Sequence, residues 1–341
     1  MAGARKCCAE CFNDRSLRRE IIPGLSTERA HCDYCGTANV QVVEPIQLQT
    51  YFEVLLSIYE PRDDGRFLVE WLREDWEMFH PEMDMARQKE LLGDVLDDGE
   101  IVRKPFVPSA RFVSDGLERW EKLRTELMHE NRYFPDAQLN TDRLKEHFSQ
   151  LNADDTPLTW YRARLLSADV PFTLDEMGAP PQRSATHGRA NPAGIPYLYL
   201  ASEPQTAVSE TRPHTGDRAC VAEFTIPAGL KLLDLRHPRR SVSPFPLSDE
   251  DKMGQLRSDI AFLERLGEEL TRPILPQGAM IDYVPSQYLC EFIKKCGWDG
   301  VIYRSSVSDG INLALFKPAV ATPRSVSPYL ITGVAVDVRP V

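Results

Sequence analysis

The sequence has no long apolar segment. None of its hydrophobic runs approaches the ~18 residues that a membrane-spanning helix needs. Its first residues, MAGARKCCAECF, lack the apolar core of a secretory signal peptide. We therefore expect a cytoplasmic protein.

The sequence also lacks an excess of positive charge and the common nucleotide-binding motifs. Asp and Glu (51) outnumber Lys and Arg (40), which gives a formal net charge of -11. This balance disfavours a protein that binds nucleic acid or an anionic membrane, although it allows a local basic pocket. No G-x-G-x-x-G or G-K-[ST] motif is present, so the sequence does not predict a Rossmann or P-loop nucleotide site.

Cysteine is nearly absent from most of the chain and is concentrated at its start. Five of the eight cysteines lie within the first 35 residues, and Cys220, Cys290 and Cys296 lie among apolar neighbours, where we expect small buried hydrophobic residues. An extracellular disulfide scaffold would distribute its cysteines more evenly. The sequence therefore does not indicate a disulfide-stabilised fold.

The early cysteines form two C-x-x-C pairs. Cys8 with Cys11 and Cys32 with Cys35 have the spacing of a four-thiolate zinc site, which would be structural because it leaves no coordination position for water. Two alternatives remain open, namely free thiols and a register in which Cys7 pairs with Cys11. The segment His80–Glu82 follows both pairs and has no P-C-x-x-C partner downstream, so the zinc deaminase signature is not matched.

The pattern of apolar residues divides the rest of the chain. We predict a cysteine module at 1–40, a helical domain at 41–150 and a final domain at 151–341. In the helical part, Leu117, Trp120, Leu123 and Leu127 recur at steps of three and four residues. After Pro157 short strand-like runs dominate, including YLYL, CVAEFTI, LKLLDL, GVIYR, NLALF and ITGVAVDV. This order predicts an α+β fold class.

A helical ribonuclease is one functional alternative. Arg124 and His129 have the R-x4-H spacing of one class of helical nucleases, in which histidine is a general base and arginine stabilises phosphate charge. Both residues could equally be solvated side chains on one helix. A further alternative is a zinc-organised interaction protein that binds a nucleotide without turnover.

The final domain contains the residues best suited to chemistry. Arg162 lies at the edge of an apolar run, and Arg189 lies in the small-residue loop HGRANPAGIP, where backbone can approach a ligand. Tyr199 lies in the YLYL run, and Glu210 follows in a helix-like segment. Ser305 and Ser306 end the predicted strand GVIYR, where functional groups are often placed.

These segments resemble the RES-domain family. The resemblance lies in GRANPAGIPYLYLASEPQTAVSE and DGVIYRSSVSDGINLALF and covers roughly 157–338, while the cysteine pairs and the helices ending in HENRYF look like the N-terminal region of the HEPN/RES group. It implies a core similar to ADP-ribosyltransferases, with a mixed β-sheet domain after an all-α domain and a zinc module. It also implies a cytoplasmic, toxin-like enzyme that consumes NAD and is held in check by an antitoxin.

The resemblance assigns residues as well. The family arginine corresponds to Arg162, its tyrosine to Tyr199, its glutamate to Glu210 and its serine to Ser305 or the adjacent Ser306; Arg189 matches a basic residue of the family loop. In such a site the arginines would hold the pyrophosphate, and Tyr199 could stack on the nicotinamide. Glu210 would stabilise an oxocarbenium-like ribose, and Ser305 would donate a hydrogen bond to the ligand. The acceptor of ADP-ribose (water, phosphate or a macromolecule), any antitoxin and the oligomeric state stay open.

Overall fold

The structure is a computed structural model that describes residues 4–168, 170–247, 249–275 and 277–335. Its helices are, in chain order, α1 (Ile22–Leu25), α2 (Gln49–Leu56), α3 (Leu68–Trp76), α4 (Met85–Leu96), α5 (Gly116–His129), α6 (Thr141–Phe148), α7 (Pro204–Glu210), α8 (Pro238–Ser241), α9 (Glu250–Thr271), α10 (Ala279–Asp282) and α11 (Val284–Lys295). No helix within these ranges is both long and apolar enough to cross a membrane.

The strands of the described residues form three sheets. They are β1 (Cys7–Cys8), β2 (Glu28–Ala30), β3 (Val40–Val43), β4 (Tyr59–Phe67), β5 (Pro105–Pro108), β6 (Thr159–Leu165), β7 (Leu198–Ala201), β8 (Arg218–Thr225), β9 (Leu232–Asp234), β10 (Gly300–Arg304), β11 (Ile311–Leu315) and β12 (Thr322–Leu330). Together with the helices they confirm the predicted α+β fold class.

The chain divides into two compact units. Within the described residues, the first runs to Glu118 and also includes His237–Leu263, and the second holds Arg119–Arg236 and continues from Glu264. The three-part division of the sequence stays a prediction. The first unit contains a small sheet in the order β1-β3-β2 and the pair β4–β5. That pair was not predicted, because β4 is too charged to show strand alternation and β5 has only four residues, two of them proline.

The second unit is built on a seven-stranded mixed sheet. The strand order is β12-β8-β6-β7-β11-β10-β9, in which only β10 and β9 are parallel. Alternate residues of the central strands form its buried core, because successive side chains of a strand point to opposite faces. This core includes Trp160, Leu198, Leu200, Phe224, Ile302, Leu313 and Leu315.

Strand pairing is incomplete at the centre of this sheet. Strand β6 pairs with β8 along Thr159–Leu165, but it meets β7 through the single pair Tyr161–Ala201. The strands on the two sides of this pair therefore separate, and side chains of β6 and β7 can line an opening between them.

Local sequence signals explain where the helices next to this opening begin and end. Helix α7 begins at Pro204, whose fixed φ suits the first helical turn, and α11 carries Pro285 in its first turn. After α11, Gly297 has φ +89°, as expected for a helix C-terminal glycine. Ser248 precedes three acidic residues, and the sequence therefore predicts it as the N-cap of α9, but it lies outside the described residues.

One predicted strand is wrong in position. The run ITGVAVDV was expected to form a strand, yet 331–335 are not in a strand, and the rest lies outside the described residues. The last strand is instead β12, the polar segment Thr322–Leu330, which pairs with β8 along its length. Main-chain pairing to a long neighbour decides its position, and its side-chain sequence does not reveal this.

Candidate active site

A cavity of about 340 Å³ opens in the second unit. It is lined by Tyr161, Arg162, Ala163, His187, Gly188, Arg189, Tyr199, Leu200, Ala201, Ala207, Glu210, Thr211, Arg212, Tyr283, Tyr303, Ser306 and Asn312. A volume of this size is typical of small-molecule sites. The lining includes five of the six predicted site residues and three arginines against one glutamate, so the cavity suits an anionic ligand.

The floor of the cavity is a row of cross-strand neighbours. Tyr161 of β6 lies opposite Ala201 of β7, Ala201 opposite Asn312 of β11, and Asn312 opposite Tyr303 of β10. Paired residues of neighbouring strands share one face of a sheet. Four strands far apart in sequence thus contribute to one surface, and Tyr199, two residues before Ala201, belongs to the same face.

Glu210 is the only acidic residue that the described part of the chain contributes to the cavity lining. It is the last residue of α7, and its Oε1 atom accepts two hydrogen bonds, from Ser305 Oγ at 2.7 Å and from Asn312 Nδ2 at 2.5 Å. Ser305 and Asn312 are 9% and 6% exposed. The carboxylate is therefore anchored to the sheet by two buried neutral donors.

The two candidate serines have different surroundings. Ser305 comes directly after β10 and donates its hydroxyl proton to Glu210, whereas Ser306 lines the cavity. The Ser305 hydroxyl also accepts a 3.2 Å hydrogen bond from the Val307 amide. The Ser305 side chain is thus bound to the Glu210 carboxylate, whereas Ser306 is the serine of the pair that lines the cavity.

Arg162 of β6 is half-buried, and the Nη1 atom of its guanidinium is buried. Its Nη1 atom has no hydrogen-bond partner within the described residues. Burial, with a smaller contribution from nearby Arg164, lowers the pKa of the Arg162 guanidinium to about 10. A desolvated cation with a free donor is costly for the protein alone and is stabilised when an anion binds.

Two other arginines are held by backbone carbonyl groups. Arg189 Nη1 donates to the Arg272 carbonyl at 2.8 Å, and its guanidinium lies 5.4 Å from the Tyr283 ring. Arg212 Nη2 donates to the Ile274 carbonyl at 2.9 Å. Neutral acceptors orient a guanidinium without neutralising it, so both arginines keep their charge for a ligand.

Arg212 also has an unusual backbone conformation. Its φ of +51° is in the left-handed region, two residues after Glu210. Glycine is the usual residue there, because a side chain costs about 1 kcal/mol or more in that region. An arginine at such a position is consistent with a functional role for its guanidinium.

Tyr199 is fixed by the loop that carries Arg189. Its hydroxyl donates to Asn191 Oδ1 at 2.7 Å and accepts a hydrogen bond from the Ala190 amide at 2.9 Å. Burial raises the pKa of the Tyr199 phenol. The phenol is therefore neutral and fully engaged, and the tyrosine offers its ring to the cavity.

Sequence reasoning missed several cavity residues. Arg212, Asn312, Tyr161, Tyr283, Tyr303 and His187 all line the cavity. His187 stands next to the glycine of the predicted loop, and Arg212 follows Glu210 closely, so proximity in sequence could have indicated both. Asn312 and Tyr303 could not be found in this way, because strand pairing alone brings them to the site.

The four predicted zinc ligands converge in the first unit. The sulfur atoms of Cys8, Cys11, Cys32 and Cys35 all lie within 4.8 Å of one another. The sulfur atoms of Cys11 and Cys32 are 3.3 Å apart, and those of Cys8 and Cys35 are 3.4 Å apart. Four thiolates packed this closely need a cation to balance their charge, and four sulfur donors are the usual ligands of a structural zinc ion. Cys7 is buried outside this group, so the Cys7–Cys11 register is not the one observed.

The predicted ribonuclease pair is not assembled as a site. Arg124 Nε lies 3.3 Å from Glu269, a fully buried carboxylate that also pairs with Arg265 at 2.8 Å and Arg272 at 3.0 Å. His129 is exposed at the end of α5. The Arg124 guanidinium thus belongs to a buried ion-pair cluster, and the geometry does not favour the ribonuclease interpretation.

Comparison with known proteins identifies the family. The RES domain family matches residues 159–331, just over half of the chain, so the protein belongs to the RES-domain family. No curated protein matches it.

A chain of the crystal structure of the M. tuberculosis MbcT–MbcA toxin–antitoxin complex is similar at 15% identity. The similarity covers 55% of this protein and 93% of that chain, with a TM-score of 0.32. A TM-score this low does not establish a shared fold.

Proposed function

We propose that this protein cleaves the bond between nicotinamide and ribose in NAD. Membership of the RES-domain family supports NAD as the substrate. The observation that carries the proposal is the position of Glu210, which lies in a cavity with three arginines and is held by Ser305 and Asn312.

The cavity suits the charges of NAD. The pyrophosphate carries two negative charges, and Arg162, Arg189 and Arg212 supply planar guanidinium groups that bind phosphate oxygens in pairs. The unpartnered Nη1 atom of Arg162 is a donor available for such a bond. The nicotinamide ring is cationic, so the tyrosine rings of the cavity can bind its face.

Bond cleavage then follows from the leaving group and the carboxylate. The C1′–N bond breaks with its electron pair going to the ring nitrogen, which neutralises the pyridinium, so no general acid is needed. The ribose becomes oxocarbenium-like, and the Glu210 carboxylate stabilises that positive charge or accepts a hydrogen bond from the 2′-hydroxyl. A nucleophile then adds to C1′, and water, phosphate and a macromolecular hydroxyl are the acceptors to be distinguished.

Glu210 and Glu203 provide a matched experiment. Both are exposed residues on or next to α7, but Glu203, the N-cap residue, does not line the cavity. Purified protein is incubated with NAD, and free nicotinamide and ADP-ribose products are measured by chromatography. We expect release by wild type and Glu203→Gln, and a loss of about 100-fold or more in Glu210→Gln. Full release by Glu210→Gln would refute the proposed role of Glu210.

The toxin-like character of the protein is part of the same proposal. Depletion of NAD would harm the cell that makes it, so a neutralising antitoxin or regulatory protein is the partner we expect. Expression of wild type should stop growth, and expression of Glu210→Gln should not. Equal growth arrest by both would show that NAD cleavage is not the cause.

A further inference from the structure

The hydrogen bonds of Glu210 distinguish its two carboxylate oxygens. Ser305 Oγ and Asn312 Nδ2 both bind Oε1, at 2.7 Å and 2.5 Å. Within the described part of the chain, Oε2 has no hydrogen-bond partner. A carboxylate with one oxygen fixed on two donors has little freedom to rotate, so its other oxygen has a defined direction.

Asn312 is suited to hold this geometry. It lies on β11 between Ala201 of β7 and Tyr303 of β10, so its backbone is paired on both sides. Its side chain is nearly buried, and a carboxylate only accepts hydrogen bonds, so the amide must present its NH₂ group. A central strand is more rigid than the helix end that carries Glu210.

Glu210 needs such support because of its position. The C-terminal end of a helix carries partial negative charge and disfavours a nearby carboxylate. The next residues do not continue the helix, since Arg212 is left-handed. Donors from the sheet offset the unfavourable end of α7 and fix a side chain that its own helix holds weakly.

We propose that Asn312 is a positioning residue that holds Glu210 Oε1 so that Oε2 is directed at the ribose of the bound dinucleotide. This inference rests on the proposed NAD cleavage. Asn312 also lines the cavity, but the role assigned to it is on Glu210, so its loss should lower kcat by a larger factor than it changes KM.

Two substitutions at this position separate positioning from packing. Asn312→Leu keeps the approximate volume and removes the donor, and we expect kcat for nicotinamide release to fall roughly 10- to 100-fold at every pH from 5 to 9. Asn312→Asp keeps the shape but faces Glu210 with a second carboxylate. Two carboxylates this close share a proton at low pH, and the shared proton restores a donor to Oε1.

The pH dependence is therefore the decisive measurement. The ratio of Asn312→Asp kcat to wild-type kcat should rise as the pH falls from 9 to 5, whereas the ratio for Asn312→Leu should stay flat. The other ionisable groups that line the cavity within the described residues are Tyr161, Arg162, His187, Arg189, Tyr199, Arg212, Tyr283 and Tyr303. They are common to all variants, so the ratio removes their contribution.

Ser202→Ala is the control for local packing. The Ser202 hydroxyl accepts a 3.1 Å hydrogen bond from the Ile311 amide, next to Asn312, and makes no bond to Glu210 within the described residues. We expect Ser202→Ala to have wild-type kcat, and the ratio of its kcat to wild-type kcat should not change with pH. Thermal unfolding should show that all variants fold. Because the Asn312→Asp ratio is measured by changing pH on one folded sample, it remains informative if Asn312→Leu is unstable.

The outcomes distinguish the two proposals. The positioning role is overturned if Asn312→Leu has wild-type kcat, or if the ratio of Asn312→Asp kcat to wild-type kcat does not change with pH. In either case a loss of nicotinamide release in Glu210→Gln would still support NAD cleavage. Absence of nicotinamide release by wild type overturns both proposals.

Discussion

The Ser305 hydroxyl donates a 2.7 Å hydrogen bond to Glu210 Oε1, although the two residues lie 95 positions apart. The adjacent Ser306 lines the cavity instead. We predict that Ser305→Ala lowers kcat for nicotinamide release by roughly 10-fold, because one donor to a charged group is lost. Ser306→Ala should mainly raise KM. Steady-state kinetics of both variants tests this, and a KM effect confined to Ser305→Ala would reverse the assignment.

Gly188 is required for the position of Tyr199. A Cβ atom at Gly188 would lie 2.4 Å from Asn191 Oδ1 and 2.5 Å from the Tyr199 hydroxyl, closer than atoms can approach. Gly188→Ala should therefore displace the tyrosine and the Arg189 loop and reduce kcat/KM by about 100-fold. Gly178→Ala, whose nearest contact would be 3.6 Å from the Asp175 carbonyl, is the control and should behave as wild type. An active Gly188→Ala enzyme would show that the loop does not need this geometry.

We expect Arg162 to be required for NAD cleavage and to destabilise the folded protein when no ligand is bound. Its guanidinium has a pKa lowered to about 10 and a buried, unpartnered Nη1 atom, so it destabilises the folded protein without a ligand. We predict that Arg162→Met raises Tm by a few degrees, equivalent to about 1 kcal/mol, and abolishes NAD cleavage. Differential scanning calorimetry measures the first effect.

Arg164 is the matched control for Arg162. It donates a 2.6 Å hydrogen bond to the Glu176 carbonyl and lies over the Phe172 ring, so Arg164→Met should not raise Tm. A lower Tm in Arg162→Met would mean that Arg162 is structurally satisfied in the protein without its ligand.

The four-cysteine cluster predicts a bound metal. Purified protein should contain about one zinc ion per chain, and Cys32→Ser should lose it, because three thiolates bind zinc more weakly than four. Cys290→Ser, a buried cysteine in the second unit, should keep the metal. Elemental analysis checks both. Equal zinc content in the two variants would exclude the cluster as the metal site.

Part of this site could be predicted from the sequence. The rest could not, because it depends on pairing between strands that are distant in the chain. Arg189, Tyr199 and Glu210 lie within one continuous segment whose loop, strand and helix are locally encoded, so their proximity follows from the chain. Asn312 reaches Glu210 only through pairing of β11 with β7. The position of β12 depends on β8 in the same way, and neither strand pairing is encoded by local composition.

Measuring NAD binding and NAD cleavage separately in Glu210→Gln tests the central claim most directly. Calorimetric titration of NAD into this variant should give a Kd within about threefold of that estimated for wild type, because the arginines that hold the pyrophosphate remain. Nicotinamide release by the same sample should be at least about 100-fold slower. Undiminished release, with NAD bound, would contradict the assignment of Glu210 to the transition state.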